Sequence, residues 1–356
     1  MQSVDLSNLK SVDAAFTIYL CPALTSFNMP LLETVGRNLR FSLTGMATLN
    51  FPVLKKVVTG VEIEENPSLV SVSFPQFTGP SSRVLPSFNI NGNDELVSIA
   101  APVLGRVESM HLNYNKKCTL INFSALSSAK TLQLGGDSAL ASLSFPSLAS
   151  LSGMLTLQGD SSLTSISFPV LTTAESISIS DIISTTFSLP ALNNMGNLLL
   201  IQNCKNLTTI SLPALATIAG TLNIGNNSLL ASLNAPVLTS IGTILFSSNN
   251  SYGSLNFPVL TTLASPGGQV TISGSNLTSI SFPSLTIAKC RLFDFTYNKL
   301  PSASVNALLN KFTNIVPAIT WTEFRFEHQI PPAPPTGQGI TDRATLWSGN
   351  NNVITD

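Results

Sequence analysis

Charge is scarce in this 356-residue chain: charged residues make up 10% of it, and the formal net charge is −1. An average soluble domain carries roughly 25% charged residues. With no basic field to hold phosphates, nucleic acid is not an expected partner. Histidine occurs twice, at His111 and His328, and the sequence has no Gly-x-Ser-x-Gly elbow, His-Glu-x-x-His pair or phosphate-binding glycine loop. The chain is therefore read as a non-enzyme that needs no cofactor. No apolar run approaches the roughly 20 residues of a membrane span, so insertion is not expected. The stretch 1–20 lacks a basic start and an unbroken apolar core, so no secretory signal is visible.

Cysteine is equally sparse. Cys21, Cys118, Cys204 and Cys290 are the four present. In a stacked repeat this spacing sets successive cysteines about four turns, or about 19 Å, apart. The limit for a disulfide is about 7 Å between Cα atoms. Free buried thiols are expected, and no tetrahedral metal site can form from them. Glu62, Glu64 and Glu65 beside Asn66 form an acidic cluster that reads as a solvated face rather than a Ca²⁺ site.

What is present is a beat. A Phe-Pro-x-Leu unit recurs about every 22 residues, its proline position falling at Pro30, Pro52, Pro75, Pro102, Pro146, Pro169, Pro190, Pro213, Pro236, Pro258 and Pro283. Ser124 fills the gap, and Ser7 extends the row backwards. A fixed period of this size means a solenoid in which each turn stacks on its neighbours.

Each turn contains two short alternating stretches, the pattern of half-buried strands. One is the Ser-Ile-Ser-Phe segment, which the proline ends because it has no N–H to give to a ladder. The other is a Leu-x-Ile segment. Leu238 and Ile241 in the fullest turn are expected to point inward at the corner. An asparagine follows the second strand, and Asn66, Asn93, Asn115, Asn203, Asn227, Asn249 and Asn298 are read as a buried ladder. A primary amide both donates and accepts, which suits it to the backbone groups left unpaired at a sharp bend. Asp137, Asp160, Ser275 and Cys21 replace asparagine in other turns. A carboxylate donates only when protonated, so the Asp137 and Asp160 turns are expected to be the weakest.

The segment Ile218-Ala-Gly-Thr-Leu222-Asn-Ile224-Gly-Asn-Asn227 resembles the leucine-rich-repeat superfamily, with one residue inserted into its pattern. The nearer resemblance is to receptor-L-domain repeats, in which turns are mostly β. It implies a β-rich, right-handed stack of ~22-residue turns over residues 1–300 with a C-terminal helical cap. The missing cysteine-rich modules argue against a hormone-receptor role. Together with the free thiols they point to a bacterial or phage product.

Beyond 300 the period is expected to stop. Residues 301–330 read as a cap of helix plus strand, with Ser302 as N-cap and Val305, Leu308, Leu309 and Phe312 on its buried face. Residues 331–339 read as a Pro-rich linker, and 340–356 as a short helix–strand tail.

The resemblance implies non-catalytic recognition or adhesion, with a protein or glycan ligand on the second-strand face. The setting would be extracellular, a cell surface or a virion. The candidate face comprises Glu62, Glu64, His111, Asn113, Tyr114, Gln133, Gln158, Asn223, Tyr252, Thr271, Asp294 and Tyr297. The tyrosines beside the ladder could stack on sugar rings. The alternative is a structural or receptor-binding part of a phage tail or surface fibre, which end-to-end contact at the uncapped N-terminus would suit. A remoter alternative is ice binding through the first-strand hydroxyl rows, such as Ser71 with Ser73 and Ser142 with Ser144.

Overall fold

A parallel in-register ladder is what a strict repeat of alternating strands should build, because each turn lays its strand beside the same strand of the turn before. The computed structural model describes residues 2–80, 84–263, 265 and 267–356, and it contains such ladders. The chain divides into two compact units: Met1–Ala174 with Asp181–Ser184, and Glu175–Ser180 with Thr185–Asp356.

In the first unit, strands Phe16–Cys21, Asn38–Thr44, Gly60–Glu64, Leu85–Asn91, Arg106–Asn113, Ser128–Gly135 and Ser150–Gln158 pair in parallel, each with the next. Phe41, Ile63, Ile90, Leu112, Leu134 and Leu157 share one inward register position and are all fully buried. Short strands on another side, such as Ser142–Ser144 against Ser165–Ser167, stack their hydroxyl residues in register. The residue after each short strand points inward, and the proline follows it in a turn. Leu54 N–H, for example, donates to Phe51 O across Pro52 at 3.4 Å, a geometry the fixed φ of proline favours.

Aromatic side chains line much of the first unit's core. Phe16, Phe27, Phe41, Phe51, Phe74, Phe88, Phe123, Phe145 and Phe168 form consecutive ring pairs. Phe51 and Phe74 stack with centroids 5.0 Å apart and planes 5° apart.

The second unit carries strands Asn194–Gln202, Thr217–Gly225, Ser240–Ser247, Gln269–Ser273 and Leu292–Asp294 in the same parallel order. Leu238 and Ile241 are buried as expected. The pairing does not stop at Leu300. Leu292–Asp294 pairs with Glu323–Arg325, which pairs with Asn352–Ile354. Helix α1 (Ser302–Thr313) buries Val305, Leu308, Leu309 and Phe312, and Phe312 meets Phe293 at 4.7 Å. Its N-cap is Pro301 rather than Ser302, and no side chain caps it; the proline sets the entry and Ser302 is already helical. Helix α2 (Gln338–Ser348) begins inside the stretch read as linker. Ala333 of that stretch is buried, and its N–H donates to Asp356 Oδ2 at 2.9 Å.

The ladder closes each turn. Each second strand ends in a residue of positive φ (Glu65, Tyr114, Asn203, Asn226 and Tyr297 among them), and the next residue turns inward. Asn66 N–H donates to Asn93 Oδ1 27 residues on, Asn93 N–H to Asn115 Oδ1 22 on, and Asn115 N–H to Asp137 Oδ1 22 on. The amide of each asparagine donates backwards, as Asn115 Nδ2 does to Ile90 O at 2.9 Å. In the second unit Asn227, Asn249 and Asn298 act alike on Ile201, Ile224 and Ile272.

Asn203 is not a ladder residue. Its φ is 58°, and the buried position belongs to Cys204, whose N–H donates to Asn227 Oδ1 at 2.9 Å. Thr44 also occupies this row, its N–H and hydroxyl donating to Asn66 Oδ1. Of the four free thiols, Cys118, Cys204 and Cys290 are buried, whereas Cys21 is exposed, because it lies on the first strand of its ladder, with a partner on one side.

Candidate functional site

Side chains that alternate away from the core on the second strands fall into straight outward rows, since register holds from turn to turn. In the first unit one row runs Arg40, Glu62, Asn89, His111, Gln133, Thr156; the next runs Ser42, Glu64, Asn91, Asn113, Gly135, Gln158. The expected face residues of this unit therefore share one surface.

Their polar groups are used unevenly. Glu62 accepts from Asn38 Nδ2 at 2.9 Å and lies 3.7 Å from Arg40 Nε. Glu64 accepts from Asn91 Nδ2 at 3.4 Å, and Asn113 donates to Asn91 Oδ1 at 3.2 Å. Ser109 Oγ lies 3.1 Å from His111 Nε2. Glu62 and Glu64 are thus engaged separately, and Glu65 sits in the turn at φ 56°; the three carboxylates do not converge. By contrast, the side chains of Gln133, Thr156 and Gln158 make no hydrogen bond among the described residues.

Beside these three lies a notch. Tyr114 is 64% exposed at the turn, and one edge of its ring lies against Gly136. A Cβ on Gly136 would sit 2.6 Å from Tyr114 Cδ1, and the φ of +73° there also favours glycine. Asn113, Tyr114, Gln133, Thr156 and Gln158, with the glycines between them, enclose about 240 Å³. A Gly-Gly pair one turn after a tyrosine that precedes a ladder asparagine is the sequence signal that could have located the notch.

Directly after these glycines, Asp137 and Asp160 hold the buried ladder positions. Asp137 N–H donates to Asp160 Oδ1 at 2.9 Å, while Oδ2 of each is buried and has no partner. Burial pushes the Asp137 carboxyl up to about 8, aided by the neighbouring Asp160 and opposed by the Asn115 hydrogen bonds. Burial raises Asp160 to about 6, against the bond from Asp137 N–H. Both tend towards the protonated form, in which the second oxygen can donate as an asparagine amide does. The Cys118 thiol is pushed up to about 12 by burial first and by Asp137 second, which leaves it an inert core group.

The second unit presents a different face. Leu200, Asn223, Leu245, Thr271, Asp294 and Arg325 share a row. Asn223 and Thr271 flank the half-buried Leu245, and Leu200 and Leu245 are outward apolar positions that sequence reading does not single out. Asp294 Oδ1 accepts from Thr296 N and Oγ1 at 3.0 and 2.7 Å. Tyr252 does not belong to the face: it is 5% exposed, packs edge-on against Phe246 and accepts from Leu233 N–H at 2.6 Å. It follows the ladder residue instead of preceding it, so it turns inward. Tyr297 precedes Asn298, is 58% exposed and stacks on His328 at 4.7 Å. Trp321, 78% exposed at a third such turn, was also missed.

In-register parallel turns closed by an inward asparagine, with an outward second-strand face, define a leucine-rich-repeat-like β-solenoid. No family model matches the chain. A cell wall mannoprotein, PST1, of Saccharomyces cerevisiae (strains YJM789 and S288c) is similar, at 28% identity over 166 residues, 42% of this chain and 37% of that protein. The chain thus matches well under half the length of these curated relatives. Among solved structures, a leucine-rich repeat protein from Bacteroides ovatus is 14% identical with a TM-score of 0.33, covering 83% of this chain and 85% of that one. A leucine-rich cell surface protein from Faecalibacterium prausnitzii is 11% identical with a TM-score of 0.25, covering 73% and 90%. The repeat class stands on the strand register, not on these superpositions.

Proposed function

We propose that the protein is a non-catalytic recognition and adhesion scaffold, exposed at a cell surface, which holds a protein or glycan ligand on its second-strand face. The observation that carries this reading is the run of outward amides and hydroxyls at Gln133, Thr156 and Gln158, which have no internal partner among the described residues. A side chain that caps nothing inside its own fold is available to an outside ligand. The parallel register spaces such groups at about 4.8 Å per turn, so an extended ligand meets the same chemistry repeatedly. The likeness to a cell wall mannoprotein supports a surface setting.

The test is binding of the intact protein to a glycan array and to solubilised cell-surface proteins. Gln133→Ala/Gln158→Ala serves as the comparison. Capture by the parent chain and at least tenfold weaker capture by the double variant are expected. Absence of capture on both supports would overturn the reading in favour of a passive spacer.

A further inference from the structure

The notch at Tyr114 has three properties that together select a ligand. One wall is an aromatic ring whose Cδ1–Cε1 edge lies against Gly136, while the side chain as a whole is 64% exposed. Its walls are uncharged: Asn113, Gln133, Thr156 and Gln158 supply amides and a hydroxyl, and no Asp, Glu, Lys, Arg or His lines it. Its volume of about 240 Å³ is below the roughly 300 Å³ at which drug-sized pockets begin.

We propose that this notch is a saccharide site: one neutral hexopyranose ring stacks on Tyr114, and its hydroxyls bond to Gln133 and Gln158. This deepens the glycan branch of the function proposed above and rests on it. A pyranose presents C–H groups on one face, which pack on an aromatic ring, and hydroxyls around its rim, which both donate and accept. Carboxamides match such a rim because each offers two donors and an acceptor. Anionic sugars and phosphates find no cation here. A protein partner needs about 800 Å² on each side, far beyond one ring and its flanking amides. One stacking contact with a few exchanged hydrogen bonds gives a dissociation constant of about 1 mM, so strong attachment requires a repeating glycan engaging several copies.

Saturation-transfer NMR on the full chain tests the site, with methyl glucoside, mannoside and galactoside as neutral probes and sialyllactose as the anionic one. Transfer to the C–H face of at least one neutral sugar is expected. Tyr114→Ala should abolish it, Tyr114→Phe should retain it, and Gln158→Ala should weaken binding at least threefold. The melting temperature is measured for each variant, and Tyr297→Ala is the control that should bind unchanged. Sugar binding that survives Tyr114→Ala overturns the site yet leaves the recognition reading standing. Loss of binding in the Tyr297→Ala control, or preference for sialyllactose, also overturns it. No transfer from any sugar, with a surface protein still captured, overturns the glycan proposal and leaves the protein branch intact.

Discussion

The two units build the same turn from different side chains, and the differences sort by whether a side chain faces in or out. The first unit carries an unbroken aromatic series from Phe16 to Phe168, whereas the second interrupts it with Leu189, Leu212 and Ala235 at the position before proline and resumes it only at Phe257 and Phe282, stacked at 5.7 Å. The first unit's ladder includes two adjacent carboxyls, Asp137 and Asp160; the second's includes Cys204 and Ser275. The first unit's face is polar and partly charged, while the second's carries Leu200 and Leu245. The backbone frame thus tolerates many inward volumes, provided that something at each bend satisfies the backbone. The outward rows are under no such demand.

The largest way to break this equivalence is pH. The folded carboxyls lie above their ordinary 3.8, at about 8 for Asp137 and about 6 for Asp160. Folding therefore takes up protons between those values, and the stabilisation is complete below about pH 4. It is lost as pH rises through about 6 and then about 8, by several kcal/mol in all. Asp137→Asn/Asp160→Asn should flatten this profile and protect the first unit at pH 9. Hydrogen exchange followed peptide by peptide separates the units. A parent profile in which both units respond equally to alkali would refute the assignment.

Next in size is the ladder of the second unit. Asn227→Leu removes the acceptor of Cys204 N–H and the donor to Ile201 O. Each buried group left without its partner costs about 1–3 kcal/mol, so a loss of about 2–6 kcal/mol is expected from chemical denaturation. Asn203→Leu, one residue from a ladder position, should cost far less, because Asn203 makes no side-chain ladder bond. Equal losses would mean that the register is wrong.

That pair of variants also marks where sequence reading succeeded and where it slipped. The beat of Phe-Pro-x-Leu fixes inward positions, and the core residues follow from it because burial repeats with the strand. The ladder is legible as an asparagine three residues beyond the last inward apolar residue. Beyond Ile201 that rule lands on Cys204, and the neighbouring Asn203 competes with it only by residue type. Two adjacent polar residues differ only in φ, which composition does not encode. Tyr252 was misread for the same reason: a tyrosine before the ladder residue faces solvent, as Tyr114 and Tyr297 do, and one after it faces the core. The Tyr114 notch leaves a fainter trace, the Gly135-Gly136 pair one turn later, because the space exists only where Gly136 lies against the ring.

The tyrosines give a smaller, sharper contrast. Tyr252→Phe keeps the packing on Phe246 but strips Leu233 N–H of its acceptor, at about 1–3 kcal/mol. Tyr114→Phe alters an exposed hydroxyl and should fall within about 0.5 kcal/mol of the parent. Denaturant midpoints at neutral pH check both, and a Tyr114→Phe loss as large as that of Tyr252→Phe would show that Tyr114 is structural.

The smallest difference concerns salt. Cross-turn ion pairs Lys55–Glu33, Lys116–Asp94 and Lys117–Glu95 lie in the first unit at 2.7–3.1 Å, whereas the second unit's ion pair among the described residues, Arg325–Glu323, lies within one strand. All are well exposed, and exposed pairs contribute about 0.2–1 kcal/mol each. Their attraction is screened at high ionic strength, where the Debye length shrinks to about 3 Å at 1 M. Lys117→Ala should therefore lower the first unit's stability by less than about 1 kcal/mol in dilute buffer and have no measurable effect in 1 M NaCl. The second unit's exchange protection should be indifferent to either change. A salt-resistant loss at Lys117 would mean that its aliphatic stem, laid along the turn, holds the stack more than its charge does.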